Sequence, residues 1–509
     1  MTDRRDIVVV GAGHNGLVAA CYLARAGFEV EVLERDSVVG GAVSTVERWP
    51  GVFVDRGSTL HVMVRHTGIV EELELADAGL DYIDVDPWAT AVGEDASIRF
   101  ATDLDATYAS IADACGRRDA EAYADFAAEW SPRVDAMLAA FHQPPTMPKL
   151  ARAFWPLGRK VGAGGGELAR SFLQSADSLL DAAFTDSRLR AALAWWAAQA
   201  GPAPHETGTA PMLATALLMH RRAPGRPRGG SGGLTQALAG RLERLGGRLS
   251  LGDSATRITA TTVETAGGRR IESRAVVSAT HIVTTLELVG DEALRRSAAS
   301  RLKVGHGMGV VLRVLTDRLP PYRTVDEDVH VGMQLLVQSP GQLRTAYADY
   351  LQGQPPQDPP LLVMTPTATD RTLAPEGRHV VTVWSQWHPH RLREGPWDGV
   401  RQRETDRLVT ALDKQAPGFA SSVLATHLQT PADLESELDL RAGNVMHLDM
   451  TLDAMFTLRP LPEWSGYRGP NGVFLCGAST HPGGGVSGAS GRNAAAVVIR
   501  HLRRRRRKA

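Results

Sequence analysis

Cysteine is nearly absent from this 509-residue chain. Cys21, Cys115 and Cys476 lie far apart and form no CxxC pair, which argues against a disulfide framework, a dithiol relay or a cysteine-built zinc site, and no metal is expected. Charge of one sign is missing too. Lys plus Arg total 56 against 57 for Asp plus Glu, a formal charge of −1, so no global field steers the protein toward nucleic acid. No apolar run reaches the length of a membrane span; the richest, Ala191 to Ala200, is short and alanine-rich. Arg4 and Arg5 precede an apolar stretch as in a signal peptide, but glycines interrupt it, and it reads as retained sequence. The expectation is a reduced, cytoplasmic protein, soluble or at most peripheral to a membrane. Its 43% apolar residues suffice for more than one core.

Glycine, by contrast, is placed with care. Asp6 to Val10 reads as a buried parallel strand, and Gly11, Gly13 and Gly16 follow as GxGxxG before a helix with apolar Leu17, Ala20, Cys21 and Ala24. Gly27 ends that helix, Phe28 to Leu33 alternates as a second strand, and Glu34 stands 18 residues after Gly16, where an acid can hold ribose hydroxyls. Gly11 permits the turn, Gly13 lets backbone approach a pyrophosphate, and Gly16 lets helix and strand pack closely. Gly40 and Gly41 extend the pattern to ExxxxxGG, which resembles flavoenzymes rather than nicotinamide dehydrogenases. Arg35 after the acid is common in the FAD pattern. The segment Arg48 to Ser58, ending in "VDRGS" with Gly57 and Ser58, resembles the stretch that runs beneath a flavin. FAD is therefore the expected cofactor. Two further glycine runs, "VGAGGGE" at Val161 and "GGSGGLT" at Gly229, lack the strand and phasing of a second nucleotide site.

The other end of the chain repeats this grammar. Asn471 to Leu502 reads as a strand, Val473 to Cys476, a glycine-rich crossing, and a helix from about Ser490 with Ala494, Ala495, Val498 and Leu502 on one face. Gly483, Gly484 and Gly485 leave room for a planar ring, and the following helix N-terminus can stabilise an anion. The phrases "GHNGL" at Gly13, "TPADLE" at Thr430, "GNVMH" at Gly443, "LRP" at Leu458 and "CGASTHPGGGVSGASGRNAA" at Cys476 are similar to the phytoene desaturase-related FAD-dependent oxidoreductases. The match is best to their branch of the pyridine nucleotide-disulfide oxidoreductase domain-containing type. The resemblance implies one FAD in a discontinuous Rossmann-type domain, its ring presented to a deep apolar cavity. Gly477, Ala478, Gly484, Gly485 and Val486 then join the cofactor-binding set. The resemblance also implies that the chain near Ala255 contacts adenine through its backbone, although the family usually has a larger apolar residue there.

The fold class that follows is α/β, with FAD-binding parts at 1–104, 226–290 and 465–502. An alanine-rich helical cap is expected at 105–225, including helices Glu121 to Phe141 and Ser175 to Gln199 and a loop at Gly162 to Gly166. A mixed-sheet substrate domain is expected at 291–464, with strands such as Val310 to Val314 and Leu361 to Met364. A basic tail, 503–509, carries six successive cations, Arg503 to Lys508, which read either as solvated charge or as a contact for anionic lipid.

Flavin chemistry needs position, dryness and at most one base from the protein. His481, in "THPGGG", is a candidate to polarise substrate or flavin, set against a loop histidine that only bonds backbone. His447 in "GNVMHLD", oriented by Asp449, and His61 in "GSTLHVM" are the other candidates. The activity expected is dehydrogenation of an apolar polyene-like or other small natural product, with redox-neutral isomerisation or cyclisation alongside it. An amine oxidase usually has an acid after the last strand's "GA", where Ser479 stands here, and a cofactor-free lipophilic carrier would have degraded glycines, which are intact.

Overall fold

The computed structural model describes residues 3–160, 165–323 and 327–506. A five-stranded parallel sheet, in the order Arg248–Ser250, Val30–Leu33, Ile7–Val10, Ala275–Ser278 and Phe474–Leu475, gathers strands from three distant parts of the chain. All four residues of Ile7–Val10 are buried, the continuous apolar run that a parallel strand covered on both faces requires. The second strand begins at Val30, and its alternation misleads at Glu31, which is fully buried. A four-stranded sheet covers that face, and Arg269 and Arg5 reach the Glu31 carboxylate at 2.7 and 3.0 Å, compensating the buried charge.

Helix His14–Arg25 runs from the glycine turn and packs on helices Gly232–Arg244 and Ala489–Arg506. The packing is tight because glycines permit it: a Cβ at Gly491 would stand 2.3 Å from the Asn15 carbonyl oxygen. The last helix starts at Ala489, one residue from the sequence expectation.

The substrate part is a seven-stranded mixed sheet, from Val423–Gln429 at one edge to Ile98–Phe100 at the other. Its central strands include Gly309–Thr316, His379–Gln386 and Leu361–Met364. Strands Ala89–Ala91 and Ile98–Phe100, which the sequence reading places in the first FAD-binding part, hydrogen-bond into this sheet instead. Three-residue strands have too little pattern to reveal which sheet they join.

The helical cap shares its core with the mixed sheet, packing against Ala89, Phe100, Met333 and Leu362. The stretch expected as one helix from Ser175 to Gln199 is two, Ala176–Ala183 and Ser187–Ala198. Asp186 divides them by accepting from the Arg188 and Leu189 amides as an N-cap, and buried Asp119 accepts from the Thr185 and Asp186 amides. Trp130, Trp195 and Tyr123 fill the cap core. Residues 161–164, which hold most of the Val161 glycine run and of the Gly162 to Gly166 loop, and the last three residues of the tail lie outside the described residues, while Gly165 and Gly166 open the helix Gly165–Leu173.

Candidate active site

A cavity of about 720 Å³ lies where the parallel sheet, the mixed sheet and the cap meet. Every position expected to touch the cofactor lines it: Gly11, Gly13, Gly16, Glu34, Arg35, Gly40, Gly41, Gly57, Ser58, Ala255, Gly477, Ala478, Gly484, Gly485 and Val486. Of the three candidate histidines only His447 lines it.

The cofactor end is a cradle of backbone. Gly11 has φ 101, and its Cβ would press on the Ala279 backbone at 3.3 Å, so only glycine makes this turn without strain. A Cβ on Gly16 would fall 2.2 Å from the Gly11 carbonyl oxygen, whereas a Cβ on Gly13 would meet no protein atom within 4 Å. Gly11 and Gly16 therefore serve the turn and the packing, and Gly13 keeps the cavity floor open. Glu34 accepts from the Ala12 amide at 2.7 Å and the Asp36 amide at 3.0 Å, which fixes its carboxylate at the end of the second strand. Across the cavity a Cβ on Gly484 would strike the Met446 sulfur at 2.2 Å. Space kept clear by glycines, a helix N-terminus with spare amides and a fixed acid fit a dinucleotide with a planar ring. Ala255 opens the strand Ala255–Ile258 at the far rim, and exposed Arg35 donates to the Glu437 carbonyl at 3.1 Å.

The histidines separate by their partners. His481 is fully buried between Phe141 and Phe456; its Nε2 donates to the Ala140 carbonyl at 3.0 Å, and it lies off the cavity wall. His61 is fully buried with both ring nitrogens engaged, by the Tyr82 hydroxyl and the Ser231 hydroxyl, each at 2.8 Å. Both bind neighbouring elements together rather than face the cavity. His447 differs. It adopts φ 66, in the left-handed region, and its Nδ1 lies 3.0 Å from Ser479 Oγ. The His281 ring stacks on it, 4.9 Å between centroids. His281 Nδ1 accepts from the Val283 amide, so its proton is on Nε2, which donates to the His447 carbonyl at 2.9 Å and holds that backbone conformer. Burial, and then the neighbouring His281, keep the His447 imidazole well below the usual histidine range, hence neutral. Asp449 does not orient it, contrary to expectation: its carboxylate accepts from Asn444 Nδ2 at 3.0 Å, and Ser479 does the orienting.

Sequence reasoning missed three lining groups. His14 faces the Gly485 backbone, and burial lowers it to about 4. His281 stands three residues past the strand Ala275–Ser278, at the N-cap of the helix Ile282–Val289, beyond the carboxyl end of a parallel strand where cavity walls form in such sheets. Arg313 from the mixed sheet donates to the Asp55 and Arg56 carbonyls at 2.7 and 2.8 Å and so anchors the segment leading to Gly57 and Ser58. Nothing in its sequence setting, an arginine within an apolar strand, signals that role.

A family model for flavin containing amine oxidoreductases matches residues 16–499. The chain belongs to that family. Its cofactor is accordingly FAD. It is 33% identical to mouse pyridine nucleotide-disulfide oxidoreductase domain-containing protein 2, over 98% of this chain and 94% of that protein. A limonene dehydrogenase component from Castellaniella defragrans is 26% identical over 98% and 95% of the two chains, and phytoene dehydrogenase of Streptomyces griseus 28% over 94% and 92%. These relatives agree with the resemblance to phytoene desaturase-related oxidoreductases noted in the sequence. A solved oxidoreductase from Methanosarcina mazei has the same fold, with TM-score 0.62 at 16% identity over 97% of this chain and all of that one.

Proposed function

We propose that this FAD-dependent oxidoreductase is a dehydrogenase that introduces a double bond into an apolar, partly unsaturated small molecule. The observation that carries the reading is the composition of the cavity beyond the glycine cradle. The cap contributes Met137, Phe141, Trp196, Gln199, Ala200, Met212 and Thr215, and none of these bears a charge. FAD held by the glycine cradle and Glu34 would supply the hydride acceptor. The chain's own residues do the rest. Met137, Phe141 and Trp196 bind and orient hydrocarbon and exclude water. Neutral His447, held through Ser479 on the cavity wall, is the base that takes the proton from the carbon adjacent to the one that loses hydride. Arg313 and the Glu34 amide contacts keep the cofactor walls in place while this happens.

An amine substrate is disfavoured by the same lining, because a buried ammonium needs a charged or closely hydrogen-bonded partner, and Ser479 stands where amine oxidases usually carry an acid. The names of two relatives, limonene dehydrogenase and phytoene dehydrogenase, agree with a hydrocarbon. The test is an anaerobic spectrum of the FAD-loaded protein mixed with limonene, with phytoene in detergent, and with putrescine. Bleaching by a hydrocarbon and not by the diamine is expected; bleaching by putrescine alone overturns the reading.

A further inference from the structure

Two long stretches of this nearly neutral chain contain no acid at all. Residues 136–166 hold Lys149, Arg152, Arg159 and Lys160 without an Asp or Glu, and residues 464–509 hold nine Lys and Arg, again without one. The fold brings the two together. Asn493 of the last helix donates to the Phe141 carbonyl at 3.0 Å, and Lys149, on helix Met147–Lys160, has its ammonium held below the usual lysine range by burial and by Arg500 of the last helix. Among the described residues Lys149, Arg152, Arg500, Arg503 and Arg504 form no ion pair. Like charges gathered without counterions raise the electrostatic energy of the fold, and a negatively charged surface would relieve it.

The same helix also exposes large apolar side chains. Met147 is 70% and Trp155 67% exposed, among the highest values for apolar residues here. On the helix's inner face Phe154 packs against Phe172 at 5.6 Å and Phe456 at 6.2 Å, and Phe456 packs on Phe141, a cavity-lining residue. One aromatic ring thus separates this helix from the cavity wall.

We propose that this face, built by helix Met147–Lys160 and the end of the last helix, docks on the surface of an anionic lipid bilayer. Lysine and arginine meet the lipid phosphates and carboxylates, while Trp155 and Met147 enter the headgroup boundary, where an amphipathic ring is at home. The helix lies on the surface; no helix among the described residues is long and apolar enough to cross. The proposal does not rest on the reaction given above, because it concerns where the protein sits.

The test is flotation of the full-length, FAD-loaded protein with phosphatidylcholine vesicles with and without phosphatidylserine, at low and high salt. Binding only to the phosphatidylserine vesicles, weakened by salt, is expected. Each neutralised cation should lower partitioning roughly fivefold at low salt. Lys149→Gln and Arg500→Gln should each show this, and Trp155→Ser should weaken binding without changing its salt dependence. The exposed pair Arg503→Gln and Arg504→Gln gives a second reading should the helix variants lose their flavin spectrum. Equal binding to both vesicles, no binding to either, or unchanged binding of all these variants overturns the proposal. So does retention by an RNA oligomer with no vesicle binding, since the face would then serve another polyanion.

Discussion

At the end of the cavity beside Ile7–Val10 the wall is backbone, turned at Gly11, closely packed at Gly16 and open at Gly13, whereas beneath the cap it is made of methionine and tryptophan side chains. Eight of the twelve methionines line the cavity, among them Met137, Met212, Met308, Met333 and Met364. Backbone cannot be exchanged residue by residue, so the glycine end tolerates little change and fits one invariant ligand. Thioether side chains are flexible and polarisable, and can repack around hydrocarbons of different outline. The cavity thus joins a rigid end to an adaptable one, with His447 on its wall.

Acid offers the strongest way to break this contrast, because buried neutral histidines serve both ends. His14, His281 and His481 are each lowered by burial to about 4, from an unfolded value of about 6.5. Their folded pKa is depressed, so the unfolded chain binds more protons between those values. Stability is then full above about 6.5 and falls as pH drops toward about 4, by up to about 1.4 kcal/mol per pH unit for each histidine. Thermal melting and flavin release measured together at pH 7 and pH 5 should shift in parallel. Flavin release well before unfolding would show that the two ends are separable.

Substituting His447→Ala is expected to lower turnover by about 10²–10⁴ while FAD remains bound. Ser479→Ala should have a smaller effect in the same direction, and unchanged turnover in both variants would remove His447 from the mechanism. The glycine end is sharpened by a pair of variants. Gly16→Ala drives a Cβ into the Gly11 carbonyl and should cost about 1–3 kcal/mol of stability. Gly13→Ala meets no protein atom and its φ of −64 suits alanine, so the FAD-free protein should melt at the same temperature or slightly higher. Its FAD affinity should nonetheless fall, because the new methyl occupies cavity space; isothermal titration of FAD into both apoproteins separates packing from cofactor contact. The smallest effect is expected at the adaptable end, where Met364→Leu should cost under about 1.5 kcal/mol and shift KM between substrates without altering the flavin spectrum.

The same division explains what could be read from the chain. Glycines at fixed spacing between a strand and a helix are a local signal, so Gly11, Gly13, Gly16 and Glu34 were legible, and so was the matching run near Gly484. The substrate wall draws single residues from segments near Met137, Trp196, Met333 and Trp384, and no local pattern connects them. His447 illustrates both sides. Its motif marked it, but its true partners, Ser479 and His281, lie 32 and 166 residues away, and the nearby Asp449 drew attention that the fold does not support. His481 stood out within a glycine run, yet the cap turns it toward the Ala140 carbonyl, a contact 341 residues apart in sequence. Glu31 shows that alternation describes one sheet face only until a second sheet covers it.

FAD belongs at the glycine end, and the sequence carries no second nucleotide motif to bring reducing equivalents from NADPH. The most direct measurement is the anaerobic visible spectrum of the purified protein before and after NADPH is added. Flavin bands that NADPH leaves unbleached are the predicted result. Rapid bleaching by NADPH, or a protein that carries no flavin and takes none up, would contradict it.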